Sequence, residues 1–133
     1  MPCIYVIDDE RRLVLTTAWG VLTYEEAKTH QDALFNDPDF DRSYDQIIDA
    51  QGVTSIAFSL DEAKALARRP MFSHSSRRAV VAQAPSVFAT FRFMETHHEL
   101  ASGVDQTNVF RDSESALIWL GKDPFSISKS AGQ

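Results

Sequence analysis

The chain has 133 residues, 44% hydrophobic and 24% charged, and its 19 acidic and 13 basic side chains give a net charge of −6. This size and composition predict one globular domain with a single core. The negative charge disfavours nucleic acid and anionic membranes as general partners, because both attract basic surfaces.

The sequence also bears on the compartment. No stretch approaches the roughly 18 apolar residues of a membrane span, and the first residues lack the basic start and apolar run of a signal peptide. The single cysteine, Cys3, cannot form an internal disulfide. We therefore expect a reduced, cytoplasmic protein with no integral membrane segment.

The chain opens with two segments rich in β-branched and aromatic residues, Cys3 to Ile7 and Arg12 to Trp19, with the polar turn DDER between them. This pattern predicts an antiparallel hairpin. Alternate positions of the second segment, beginning at Leu13 and at Val14, are apolar on both faces, so we expect both faces to be covered at least in part.

A capping box formed by Thr23 and Glu26 predicts the start of the first helix, and Pro38 lies in the loop that ends it. The segment 45–67, DQIIDAQGVTSIAFSLDEAKALA, then organises the centre of the chain. It predicts a short apolar strand, a turn or bulge at Gly52 and a resumed extended stretch. A helix follows, opened by a second capping box of Ser59 and Glu62, with three apolar residues facing inward: Leu60, Ala63 and Ala67.

The remaining elements follow the same alternation of strand and helix. They are predicted as a strand covered on both faces (79–82), a third helix (85–102), a short strand (107–110) and a helix capped by Asp112 that ends before Gly121. The order β-β-α-β-α-β-α-β-α predicts a single α/β domain over 1–121, with a mostly parallel mixed sheet, an N-terminal antiparallel hairpin and helices packed against the sheet. We expect residues 122–133 to form a flexible tail.

This order, with the third strand leading through a loop into a short helix, resembles the STAS fold of SpoIIAA-like anti-sigma-factor antagonists and of the cytoplasmic domains of sulphate transporters. The stretches DALFNDPDFDRSYDQIIDAQGV, RRAVVAQAPSVFATFRFMETHHEL and VFRDSESALIWLG are similar to small bacterial STAS-like or SEC14-like proteins of unassigned function. The resemblance implies a non-enzymatic regulatory or interaction module that binds a protein partner or itself. The SEC14-like side of the resemblance implies the alternative of a small-ligand or lipid carrier.

The resemblance departs from the antagonists at one functional position. There a phosphorylatable residue follows an aspartate at the start of the helix after the third strand, whereas here Ser59 follows Phe58. Ser59 is a candidate phosphoacceptor, since a helix N-terminus favours negative charge, but its capping role with Glu62 already explains it.

A second candidate site lies at the carboxyl ends of the predicted parallel strands, where open α/β sheets tend to bind ligands. Asp49 is the leading residue of this set. The other polar residues there are equally typical of turns: Gln51, Thr54, Ser55, Gln83 and Ser86.

The third predicted helix has two apolar faces. One face, with Val87, Phe91, Met94, His98 and Ala101, is predicted to pack on the sheet, and the other gathers Ala89, Phe93, Thr96 and Leu100. Ala89, Phe93 and Leu100 are therefore the candidate seam of a homodimer, the commonest oligomer. Cover by the 69–76 loop or by a lipid are the alternatives.

Arg92 lies between these two faces of the third helix. It matches an arginine in the same helix of the bacterial group and is a candidate ligand residue. The alternative for Arg92 is a surface ion pair with Glu95 or Glu99.

The sequence contains no pattern that would support catalysis or a cofactor. The four histidines (His30, His74, His97 and His98) form no i, i+4 pair, and GxSxG and glycine-rich phosphate loops are missing. The loop 73–78, SHSSRR, contains anion-binding residue types but no glycine-rich nest. We predict no enzyme, no cofactor and no metal; a hydrolase in which His74 or His98 meets a serine and a carboxylate is the remaining alternative.

Overall fold

The computed structural model describes residues 3–69, 76–102 and 106–122 of the chain. Within these ranges the predicted alternation of strands and helices is confirmed. The elements are β1 (Cys3–Asp8), β2 (Leu13–Thr23), α1 (Tyr24–Phe35), β3 (Asp45–Ala57), α2 (Leu60–Ala67), β4 (Arg77–Val81), α3 (Pro85–Ser102), β5 (Gln106–Phe110) and α4 (Ser113–Trp119). The predicted tail after Lys122 lies outside the described residues.

The described strands form one sheet in which spatial order equals chain order, β1-β2-β3-β4-β5. The β1–β2 pair is antiparallel, and β2–β3, β3–β4 and β4–β5 are parallel. The helices between the parallel strands supply the crossovers that such pairing needs. The predicted fold class, a mostly parallel mixed sheet behind an antiparallel hairpin, is confirmed.

The β3 strand is longer than its sequence suggests. It is 13 residues long and continues through Gly52 without a break. Its pairing with β2 shifts twice, between Thr17 and Trp19 and between Gly20 and Val21. Each shift leaves one extra residue on β3, which defines a β-bulge. The predicted irregularity at Gly52 is thus a bulge within one strand. A side chain there would bring a Cβ within 3.1 Å of the Trp19 Cβ.

Three helices pack on one face of the sheet and one helix packs on the other. The first face joins Val80 of β4 and Ala82, which directly follows that strand, to Val87 and Phe91 of α3, with α1 and α2 beside them. The opposite face packs Ala79 and Val81 against α4. Since neighbouring residues of β4 alternate between these two cores, the prediction of a strand covered on both faces is confirmed.

The α4 helix covers only the β3–β5 side of its face. Among the described residues, four large apolar side chains on β1 and β2 remain 42 to 62% exposed: Ile4, Val6, Trp19 and Val21. The alternation of each strand directs all four away from α1–α3. The expectation that both faces of β2 are covered in part is confirmed, and its incomplete cover leaves an apolar strip on the hairpin.

The helix starts follow the predicted caps. Thr23, Ser59 and Asp112 each accept a backbone hydrogen bond from the residue three positions later. The prediction that Leu60 faces inward is wrong, because its side chain is 63% exposed while Ala63 and Leu66 are buried. A helix of two turns has few apolar positions, so its rotation is decided by contact with α3 rather than by its own pattern.

Candidate functional site

A cavity of about 110 Å³ lies between the sheet and the layer formed by α1, α2 and α3. Most of its wall is apolar, and it is formed by residues of all five described strands and of α1, α2 and α3, whereas α4 lies on the opposite face of the sheet. The apolar wall includes Ala18 and Leu22 from β2, Ile48 from β3, Val80 from β4, Leu66 from α2, and Phe91 and Met94 from α3.

One row of the sheet makes part of this wall polar. The register places Gln46 of β3 beside Arg78 of β4, and Arg78 beside Thr107 of β5. All three residues line the cavity. Two residues further along β3 and β4, Ile48 and Val80 face the same cavity. The wall therefore changes from polar to apolar along the strands, with its polar part near their amino ends.

A buried hydrogen-bond network adjoins this row. The Gln46 Nε2 donates to the Thr16 Oγ1 at 2.9 Å, and the Thr16 Oγ1 lies 3.2 Å from the Nε2 of His30 on α1. Burial lowers the pKa of His30 below its ordinary 6.5, so the neutral imidazole is favoured. A neutral ring can accept a hydrogen bond from the Thr16 hydroxyl, while the Thr16 oxygen accepts a hydrogen bond from Gln46.

Thr107 differs from its neighbours in the row. In the part of the chain that the structure describes, its buried Oγ1 has no hydrogen-bond partner. Leaving a buried hydroxyl unsatisfied costs about 1–3 kcal/mol. A ligand atom in the cavity that bonded this oxygen would recover part of that free energy.

Cys3 also lines the cavity, but its thiol is not activated. Burial first, and the negative charge of Glu26 second, raise its pKa to about 11. A nucleophilic cysteine needs a lowered pKa, whereas here the pKa of the thiol is raised, and the His30 imidazole in the same cavity wall also favours its neutral form. These charge states favour binding over covalent chemistry at this cavity.

Three of the polar residues predicted at the carboxyl ends of the strands, Asp49, Gln51 and Gln83, hydrogen-bond one another. The predicted strand end after Ala50 is wrong, because β3 continues to Ala57 and contains Asp49 and Gln51. Gln51 donates through Nε2 to Asp49 Oδ1 at 3.1 Å and to Ser113 Oγ at 3.0 Å, and Gln83 donates to Gln51 Oε1 at 2.8 Å. This cluster ties β3 and Gln83, two residues beyond the end of β4, to the first residue of α4. Asp49 does not line the cavity, and its role as a ligand residue stays a prediction.

The other predicted site residues lie on separate surfaces. Ser59 Oγ accepts from the Glu62 N–H at 3.1 Å, and Glu62 Oε1 accepts from the Ser59 N–H at 2.9 Å. On α3, Arg92 and Ala89 are exposed and Phe93 is half-buried. The side chain of Leu100 lies outside the described residues. A phosphoacceptor at Ser59, a ligand contact at Arg92 and a seam along α3 all stay predictions.

The loop predicted over 73–78 ends earlier, because Arg77 and Arg78 belong to β4. The two arginines take opposite faces of the sheet. Arg77 donates through Nη1 to the Trp119 carbonyl oxygen at 2.8 Å, whereas Arg78 lines the cavity. His74 lies outside the described residues.

Sequence reasoning missed the residues of the polar wall. A signal for them existed, since Thr16 and Gln46 are polar side chains within apolar strands and are only 2% and 4% exposed. Buried polar residues of this kind need partners, which are often functional or structural networks. The pairing of strands that joins them to Arg78 and Thr107 is not written in any local motif.

Two features of the described residues bear on metal binding and on membrane insertion. These residues contain no group of three or more His, Cys, Asp or Glu side chains placed to hold a metal ion. None of the helices within those ranges is both long and apolar enough to cross a membrane.

The sheet order and the helix layers form an α/β domain with a SpoIIAA-like fold. The chain is similar to an uncharacterized protein of the DUF3478 family from Shewanella loihica PV-4, whose crystal structure has a SpoIIAA-like fold. The two superpose with a TM-score of 0.58 at 17% sequence identity, over 89% of this chain and 93% of that one. No family model and no curated protein matches the sequence. The comparison confirms the predicted fold.

Proposed function

We propose that the protein is a non-catalytic binding module whose ligand is a small, largely apolar molecule held between the sheet and α1–α3. The observation that carries this proposal is the cavity of about 110 Å³ with its apolar wall. The cavity is partly open to solvent, and concave apolar sites with a few polar groups in their wall are typical of small-molecule binding sites.

The size of the cavity limits the ligand. An apolar cavity of about 150 Å³ accepts benzene, whereas pockets for drug-sized molecules occupy roughly 300–1,000 Å³. The cavity is smaller than the benzene site, so it encloses roughly five non-hydrogen atoms, and a slightly longer ligand would extend through its open side toward solvent. Of the two ligand classes that the SEC14-like resemblance implies, this geometry supports a small ligand and not an acyl lipid.

The experiment compares two variants of α1 that differ in whether the new side chain enters the cavity. Ala27 lines the cavity and Ala33 on the same helix is exposed. We expect wild type and Ala33→Leu to bind hexanol saturably in an NMR titration, and Ala27→Leu to lose this binding because the larger side chain fills the space. Native mass spectrometry of the purified protein tests in addition for a retained small molecule.

The proposal fails if the wild-type protein shows no saturable binding of hexanol or of other small apolar probes. It also fails if Ala27→Leu, shown to be folded by circular dichroism, binds them as well as Ala33→Leu does.

We propose self-association as a second candidate function, because four large apolar side chains, Ile4, Val6, Trp19 and Val21, are exposed on the same face of the hairpin. The occupant we propose is a second copy of this chain. The edge position of β1 allows two copies to meet about a two-fold axis with the same apolar residues on both sides.

Light scattering distinguishes this strip from the α3 seam. We expect wild type to be a dimer, Val6→Glu to yield folded monomers, and Phe93→Glu to remain dimeric. A dimer split only by Phe93→Glu would instead support the seam of Ala89, Phe93 and Leu100. A wild-type monomer at high concentration would contradict both surfaces.

A further inference from the structure

We propose that the ligand of the cavity carries a carboxylate, or an equivalent small anionic group, that binds to Arg78 and Thr107 at the polar end of the wall. This inference rests on the proposed ligand-binding function and adds the chemical class of the ligand: a short-chain monocarboxylic acid.

The charge of the cavity wall favours an anionic ligand. Among the described residues that line the cavity, Arg78 is the one with a permanent charge, and no aspartate or glutamate is present. The other two titratable groups in the wall, Cys3 and His30, favour their neutral forms. An arginine beside an otherwise apolar and neutral space favours a negatively charged group over a positive one.

Hydrogen-bond donors in the cavity wall are available to a ligand oxygen. Gln46 already donates to Thr16, and Thr16 is shared with His30, so these groups are occupied with one another. The Thr107 hydroxyl is buried and unpartnered. A guanidinium has five N–H donors in a planar fork, so Arg78 can bond a ligand oxygen in addition to the contacts it already makes.

Arg78 and Thr107 are also placed to bind the same ligand group. Arg78 and Thr107 are paired neighbours on adjacent parallel strands, and both line the same cavity. Val80 and Val109, two residues further along these strands, belong to the apolar core on the same face. A ligand with its anionic end at the polar row would therefore place its hydrocarbon part against Val80, Phe91 and Met94.

The test uses three probes with the same number of non-hydrogen atoms: pentanoate, its neutral isostere pentanamide, and the cation hexylamine. We expect the wild-type protein at neutral pH to bind pentanoate about tenfold more tightly than pentanamide, and hexylamine most weakly. Roughly tenfold is the effect of one hydrogen bond to a charged group. The dissociation constants come from NMR titrations of the full chain.

Two variants assign the effect to Arg78. Arg78→Gln should weaken pentanoate about tenfold and change pentanamide less than about twofold. Arg77→Gln removes the same charge from the same strand on the opposite face and should change neither. If Arg78→Gln does not fold, the comparison of the three probes on wild type decides alone.

The outcomes separate this inference from the proposed function. If pentanamide or hexylamine binds as tightly as pentanoate, the carboxylate is not recognised, while the cavity still binds small molecules. If Arg77→Gln weakens pentanoate as much as Arg78→Gln does, the effect is general electrostatics and the assignment to Arg78 is wrong. If no probe binds, both the ligand class and the proposed function are wrong.

Discussion

His30 shows how a single half-buried side chain links the site to solution conditions. Its imidazole lies on α1 against Thr16 of the sheet, 3.2 Å from the hydroxyl oxygen, and burial lowers its pKa below the ordinary 6.5. In the unfolded chain the same ring would titrate near that ordinary value. Between the two pKa values only the unfolded state binds the proton, so acid favours unfolding.

We therefore expect the free energy of unfolding to fall as the pH drops below about 6.5, by at most about 1.4 kcal/mol per pH unit for this residue. The variant His30→Gln, which keeps a hydrogen-bonding group near Thr16 but does not titrate, should lose less stability over the same range. Urea denaturation of both proteins between about pH 7.5 and about pH 5.5 measures the difference. A difference that stays constant with pH would contradict the assignment.

The start of α2 offers a prediction for one element. Ser59 and Glu62 satisfy each other's backbone N–H groups at this helix start. Replacing Ser59 by Ala should destabilise the protein by about 1 kcal/mol, because one N–H loses its acceptor. Ser59→Asp retains an acceptor at the cap and should stay within about 0.5 kcal/mol of wild type.

Thermal and urea denaturation of these two variants checks the role of Ser59 as a cap. Equal stability of Ser59→Ala and wild type would contradict it. The same variants serve the phosphoacceptor prediction, since Ser59→Ala would also remove any phosphate detected at this position by mass spectrometry.

The elements also show what could be read from the sequence. The caps at Thr23, Ser59 and Asp112 are local patterns within four residues, and the structure confirms all three. The inward position of Leu60 was wrong because the rotation of a short helix depends on its neighbour. The fold class was predictable, since it depends only on the order of elements and on the crossovers that parallel strands require.

The cavity was not predictable because, like the rotation of α2, it depends on contacts between segments that are distant in the sequence. Its polar wall joins Gln46, Arg78 and Thr107, which come from three strands and meet only through strand register. A shift of one residue would turn any of these side chains to the other face of the sheet. Register is fixed by the packed core as a whole, so no single segment of the sequence specifies the site.

At the scale of the whole molecule, Lys122 connects the last described residues to the opening hairpin. Its Nζ donates to the Arg11 carbonyl oxygen at 2.7 Å and lies 3.8 Å from Asp45 Oδ2. These contacts join parts of the chain that are 111 residues apart. They place Lys122 within the folded domain.

We predict that removing residues 123–133 changes the free energy of unfolding by less than about 0.5 kcal/mol, as expected for a tail without a structural role. The matched variant Lys122→Met in the full chain should cost about 1 kcal/mol, because the Arg11 carbonyl loses its donor. Urea denaturation of both proteins measures the two changes. A large loss on truncation would show that the last residues pack on the domain.

The equality of spatial and chain order in the sheet has a consequence for biosynthesis. Each strand that leaves the ribosome finds its neighbour already made, so the sheet can grow from its amino-terminal edge without a strand waiting for a later partner. The polar wall, however, includes Thr107 from β5, the last of the described strands in chain order. A nascent chain would therefore complete the proposed ligand site only after β5 has been made, when the other four described strands are already present.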